Sequence, residues 1–175
     1  MPAISRRSDQ LGTENAFVVL AEVAKLQAAG KDIVSFCIGQ PDFPTPANIQ
    51  DAAVAAIRGG KHGYTPSAGI AELREAIARE AQALGVPCDA SQVLIVSGSQ
   101  QTLDLAAKLF IDPGTKVLLE APTYLAALQP FQLFGADCIA VPQEADGPQL
   151  DALREQLQQK PAFGYLIPTF QNPSA

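Results

Sequence analysis

The stretch Lys116-Val117-Leu118-Leu119-Glu120-Ala121-Pro122-Thr123-Tyr124 decides the fold. Its apolar residues are consecutive rather than alternating, so both faces of the strand it forms must be covered. Pro122 ends that strand, and apolar spacing over 123–134 predicts a helix. The same unit recurs on either side. Val93-Leu-Ile-Val96, Cys138-Ile-Ala-Val141 and Phe163-Gly-Tyr-Leu-Ile167 are short continuous apolar runs, with helical patterns over 99–110 and 148–159 between them. Strands that alternate with helices specify an α/β fold, three layers deep, with a mainly parallel sheet. Right-handed crossovers bring the loops after the strands to one edge, where such sheets bind ligands.

Upstream the chain reads as helices and loops. Thr13 can cap a first helix carrying Phe17, Leu20, Val23, Ala24 and Leu26, which Gly30 stops. The apolar run Ile33 to Ile38 leads into Gly39-Gln-Pro-Asp-Phe-Pro-Thr-Pro46, whose three prolines enforce a stiff extended segment. A helix over Ala47 to Arg58 has Ile49, Ala53 and Ile57 as its expected buried stripe and stops at Gly59-Gly60. After a loop from Lys61 to Gly69, Ile70, Leu73, Ile77 and Leu84 mark a third helix that Gly85 closes.

Composition narrows the function classes. The 175 residues are 47% hydrophobic and 17% charged, with mean hydropathy +0.10, as in a globular chain. No apolar run approaches the roughly 18 residues of a membrane span. A net charge of −6 without any basic cluster argues against a nucleic-acid surface. Cys37, Cys88 and Cys138 are odd in number and far apart, which fits buried reduced thiols rather than a disulfide framework or a metal site. Asp9, Gln10 and Glu14 interrupt the place where an export signal needs apolar residues, so a cytoplasmic location is expected.

Three groups carry candidate chemistry. Val96-Ser-Gly-Ser-Gln-Gln101 sits where a strand ends and a helix begins; free N–H groups there attract an anion, and Gly98 permits close approach. Tyr124 follows the second strand and offers an aromatic plate. Asn172, in Pro168-Thr-Phe-Gln-Asn-Pro173, offers an amide at the same edge. Taken singly, these read as a helix cap, a half-buried tyrosine and a turn. Together they suit a planar phosphorylated cofactor.

With these motifs in order, and with Gly39 to Pro46, Tyr64-Thr-Pro-Ser-Ala-Gly69 and Leu73-Arg-Glu-Ala-Ile77 before them, the chain resembles the class I and II aminotransferases of the fold-type I pyridoxal 5′-phosphate enzymes. The resemblance implies that Gly98, Ser99 and Gln100 bind the cofactor phosphate through backbone amides, that Tyr124 stacks on the pyridine ring, and that Asn172 bonds the ring hydroxyl. It further implies a homodimer in which Tyr64 reaches the partner subunit's cofactor phosphate, and it places Gly39 beside the carboxylate of an amino-acid substrate that exchanges its amino group with a 2-oxo acid. A non-catalytic module of the same fold, or a lyase or synthase built on it, stands as the alternative.

The catalytic lysine of that family, its pyridine-nitrogen acid and its carboxylate-binding arginine all lie downstream of the Asn-Pro motif. None of Lys25, Lys31, Lys61, Lys108, Lys116 and Lys160 has the context of a Schiff-base lysine, and His62 lies in a solvated loop, so no catalytic residue is assigned. On this reading residues 1–45 are an N-terminal arm and helix, and residues 46–175 are the first half of the cofactor domain. In the family's strand order the 93–96 strand cannot pair with the next three. Open sheet edges are then expected, with stability gained from the rest of the fold or from an intertwined oligomer.

Overall fold

The computed structural model describes residue 5 and residues 15–174; the expected cap at Thr13 lies outside them. Two compact units divide the chain: residues 38–96 form one, and residues 1–37 with 97–175 form the other. Helix α1 (Asn15–Ala28) is the first described element.

In the unit of residues 38–96, helices α2 (Ala47–Arg58) and α3 (Ala71–Ala83) begin after Pro46 and Ile70, close to the positions that the prolines and the apolar spacing predict. Arg74 of α3 ties down the segment that follows. Its Nε donates to the Val93 carbonyl at 2.9 Å, and a second guanidinium nitrogen donates to the Ala90 carbonyl. Asp89 caps the short turn at 90–92 by accepting from the Ser91 N–H, and the Gln92 side chain accepts from the Asp89 N–H.

Two expectations fail in this unit. The run Val93 to Val96 forms no strand; its Val93 N–H donates back to the Ala90 carbonyl of the preceding turn, and its Ile95 N–H donates to the Ala68 carbonyl at 3.1 Å. Extended backbone becomes a strand only where a second strand supplies partners, and the segment beside it is a loop. The predicted stripe of α2 is likewise exposed, Ile49, Ala53 and Ile57 included, and of α3 only Ala78 is buried. Periodicity identifies the apolar face of a helix, but burial requires an opposing apolar surface, which two helices and a turn do not provide.

The second unit contains the sheet. Helix α4 (Gly98–Phe110) leads to β1 (Lys116–Ala121), helix α5 (Leu125–Leu133), β2 (Asp137–Glu144), β3 (Gly147–Pro148), helix α6 (Leu150–Leu157) and β4 (Phe163–Tyr165). The strand order is β3-β2-β1-β4. β1 pairs in parallel with β2 from Lys116↔Asp137 to Ala121↔Pro142, and with β4 from Val117↔Phe163 to Leu119↔Tyr165. This is the α/β arrangement, with a mainly parallel sheet, that the continuous runs predict. The antiparallel β3 has no counterpart in the sequence pattern; it hairpins back on β2 through Ala145-Asp146.

β1 is buried from Val117 to Glu120. Val117 and Leu119 face a core completed by Ala107 and Ile111 from α4 and its end, and by Ala127 and Phe131 from α5. Phe131 meets Phe163 and Tyr165 edge-on, at centroid distances of 5.7 and 6.1 Å. α6 packs on β2. All three cysteines are free thiols, half-buried rather than fully buried as the sequence reading expects. Burial, and then the Asp137 carboxylate, push the Cys138 thiol above its ordinary value.

Candidate functional site

The site is built at the carboxyl edge of β1 and β4. Gly98 opens α4 with φ +76°, and no atom lies within 4 Å of where a Cβ would stand. The Ser97 side chain makes no cap bond; instead the Ser97 N–H donates to Gln101 Oε1 at 2.6 Å. The N–H groups of Gly98, Ser99 and Gln100 are therefore first-turn donors without a capping acceptor at the positive end of a 13-residue helix.

Tyr124 stands immediately before α5, half-buried, with its ring packed against the core. Asn172 is exposed on the loop after β4. The Ala121–Pro122 and Asn172–Pro173 peptide bonds of these two loops are both cis. A side-chain bond joins the loops, from Gln171 Nε2 to the Pro122 carbonyl at 2.8 Å.

Ser99, Tyr124 and Asn172 line one pocket of about 560 Å³. Thr102 and Leu103 of α4, with Tyr165 and Ile167, complete its wall. Gly98 and Gln100 flank Ser99 in the first turn, where the Gln100 side chain points to protein: its Nε2 donates to the Ala126 carbonyl at 2.8 Å. Gly39 and Tyr64 belong to the other unit and are exposed there. No lysine lines the pocket. A second, more polar pocket of about 320 Å³ beside Gln143, Glu144 and Asp146 contains none of Ser99, Tyr124 and Asn172; it shares Ile167 with the first and is also lined by Glu120 and Gln171.

Tyr165 and Ile167 carry no sequence motif of their own. The available signal is positional: residues two apart at the end of a strand share a face, and here that face meets the pocket. Burial raises the Tyr165 hydroxyl above its ordinary value, and nearby Tyr124 and Glu120 add to the rise. Among the described residues no cluster of three or more metal-binding side chains occurs, and no helix is long and apolar enough to cross a membrane.

A mainly parallel sheet covered by helices, with Ser99, Tyr124 and Asn172 around one pocket at its edge, defines the class as an α/β protein. The family described as aminotransferase class I and II matches residues 31–175, and the chain belongs to that family. A 2-aminoadipate transaminase of Thermus thermophilus is 44% identical over 148 residues, which is 81% of this chain and 36% of that protein. Among solved structures, aspartate aminotransferase from Thermus thermophilus with maleate superposes with a TM-score of 0.83 at 28% identity, over 89% of this chain and 42% of that one. An α-aminoadipate aminotransferase from the same species, complexed with N-(5′-phosphopyridoxyl)-L-leucine, has a TM-score of 0.72 at 37% identity and covers 98% of this chain and 42% of its own. The chain thus spans 36% to 42% of the length of these relatives.

Proposed function

We propose that this chain seats pyridoxal 5′-phosphate for an aminotransferase that exchanges an amino group between an amino acid and a 2-oxo acid. The observation that carries the proposal is the shared pocket of Ser99, Tyr124 and Asn172. Its volume of about 560 Å³ suits a small aromatic phosphate, and its donors match such a ligand: uncapped helix N–H groups for the dianion, a ring for the pyridine face, an amide for the hydroxyl.

In this reading the amides of Gly98, Ser99 and Gln100 hold the phosphate and fix the ligand's position. Tyr124 covers one face of the ring and keeps water from it. Asn172 orients the ring by donating to its hydroxyl oxygen. The cofactor, when bound, supplies an electron-accepting ring that stabilises negative charge on the substrate's α-carbon. Gly39 takes the substrate carboxylate, and Tyr64 serves the partner's phosphate in a homodimer. Residues 1–45 act as an N-terminal arm and helix, and residues 46–175 as the first half of the cofactor domain. The role proposed for these residues is to bind and orient the cofactor.

Titration with pyridoxal phosphate, followed by tyrosine fluorescence, tests the proposal. Saturable binding is expected, weakened about tenfold by Tyr124→Leu, which removes the ring contact but keeps apolar bulk. Absence of saturation in the unaltered chain would sink it.

A further inference from the structure

We infer that Glu120 is a positioning residue for the pocket: its buried carboxylate sets where the chain leaves β4 and so places the loop that carries Asn172 against the loop that carries Tyr124. The inference rests on the proposed cofactor site.

The pairing of β4 with β1 lasts three residues and ends at Leu119↔Tyr165. Beyond that point the Ile167 N–H does not go to a β1 carbonyl. It donates to Glu120 Oε2 at 2.9 Å. Glu120 is 3% exposed, the one buried charged side chain among the described residues. A carboxylate removed from water is costly to hold unless it accepts hydrogen bonds, and a buried N–H without an acceptor is costly too, so the two groups constrain each other strongly.

This bond reaches one wall of the Ser99, Tyr124 and Asn172 pocket through Ile167, while Glu120 itself lines the neighbouring pocket beside Gln143 and Asp146. Glu120, near the end of β1, precedes Tyr124 by four residues, and Ile167 itself lines the pocket, five residues before Asn172. Residues adjacent along a strand point to opposite faces, so Glu120 lies on the side of the sheet away from Val117 and Leu119 and acts through the Ile167 backbone, not by touching a ligand. The Gln171 bond to the Pro122 carbonyl holds the same pair of loops further out. A backbone ladder would have continued straight; a side-chain acceptor lets the chain turn away while its last donor stays satisfied.

The test compares Glu120→Leu and Glu120→Gln with the unaltered chain by melting temperature and by the dissociation constant for pyridoxal phosphate. Leucine fills the buried space but strands the Ile167 N–H, so the melting temperature falls modestly, while binding weakens about tenfold. Glutamine restores an acceptor, so binding returns to within about twofold. A Leu variant that binds as tightly as the unaltered chain, or a Gln variant no better than Leu, overturns the inference. Should the Leu variant not fold, two measurements still decide: slow exchange of the Ile167 amide in the unaltered chain, and weaker binding by the surface variant Gln171→Ala. Fast exchange, or full affinity in Gln171→Ala, overturns it. If the unaltered chain binds no pyridoxal phosphate, the cofactor reading itself has failed, which is a different result from tight binding in every variant.

Discussion

The side-chain amide of Gln100 donates to the Ala126 carbonyl, the acceptor that Pro130 leaves without an intrahelical partner. Pro130 lies inside α5 and has no N–H, so the carbonyl four residues before it must look elsewhere. Ala126 is buried, and water is not at hand. The first turn of α4, which carries the proposed phosphate donors, is thereby fastened to the first turn of α5, which follows Tyr124.

Gln100→Ala strands that carbonyl and is expected to cost about 1 to 3 kcal/mol in urea unfolding. Pro130→Ala supplies the missing N–H. In a double-mutant cycle the Gln100→Ala cost should fall to a few tenths of a kcal/mol in the Pro130→Ala background. Equal costs in both backgrounds would show that the amide and the proline are unrelated.

Gly69 tests a close approach. With φ +98°, an added Cβ would stand 2.2 Å from Ile95 Cγ1. Gly69→Ala therefore meets both a steric clash and an unfavourable backbone region, with an expected loss of about 2 to 4 kcal/mol. Gly98→Ala, at φ +76° with open space around it, carries the backbone penalty alone, about 1 to 2 kcal/mol. Denaturant midpoints of the two variants should differ in that order.

Tyr165 gives a pH signature. Its hydroxyl is held above the ordinary value of 10.0 by burial first, then by Tyr124 and Glu120. Below that pH both folded and unfolded chains keep the proton, and stability is intact. As the pH rises past it, the unfolded chain releases a proton that the folded chain retains, so stability falls. Tyr165→Phe keeps the ring edge against Phe131 and should flatten this alkaline loss in pH-dependent melting. An unchanged alkaline slope would assign the loss to other groups.

Much of the fold was legible because its signals are local. The runs at 117–119, 138–141 and 163–165 are apolar without alternation, and that suffices to identify strands of a mainly parallel sheet; the burial expected on both faces holds for β1 alone, since β2 and β4 leave Ala140 and Gly164 exposed. Pro46 and Ile70 mark helix starts in the same way. The run at 93–96 carries the same local signal and forms no strand, because pairing depends on what lies beside it. The two-residue β3 is too short to leave a periodic trace.

The sequence by itself determined which segments are helices, which apolar runs can be strands, the order of the family's motifs, and hence the sheet edge at which a ligand would sit. Only the tertiary structure decided which of the singled-out residues share a pocket: Ser99, Tyr124 and Asn172 do, with Tyr165 and Ile167 beside them. It alone showed that the Gln100 side chain answers the gap left by Pro130, and that Glu120 takes the Ile167 N–H where the β4 ladder ends. The physical reason is the range of the interactions. Helix and strand patterns repeat over two to four residues, whereas these bonds join positions 26 and 47 residues apart, and no local pattern encodes their meeting.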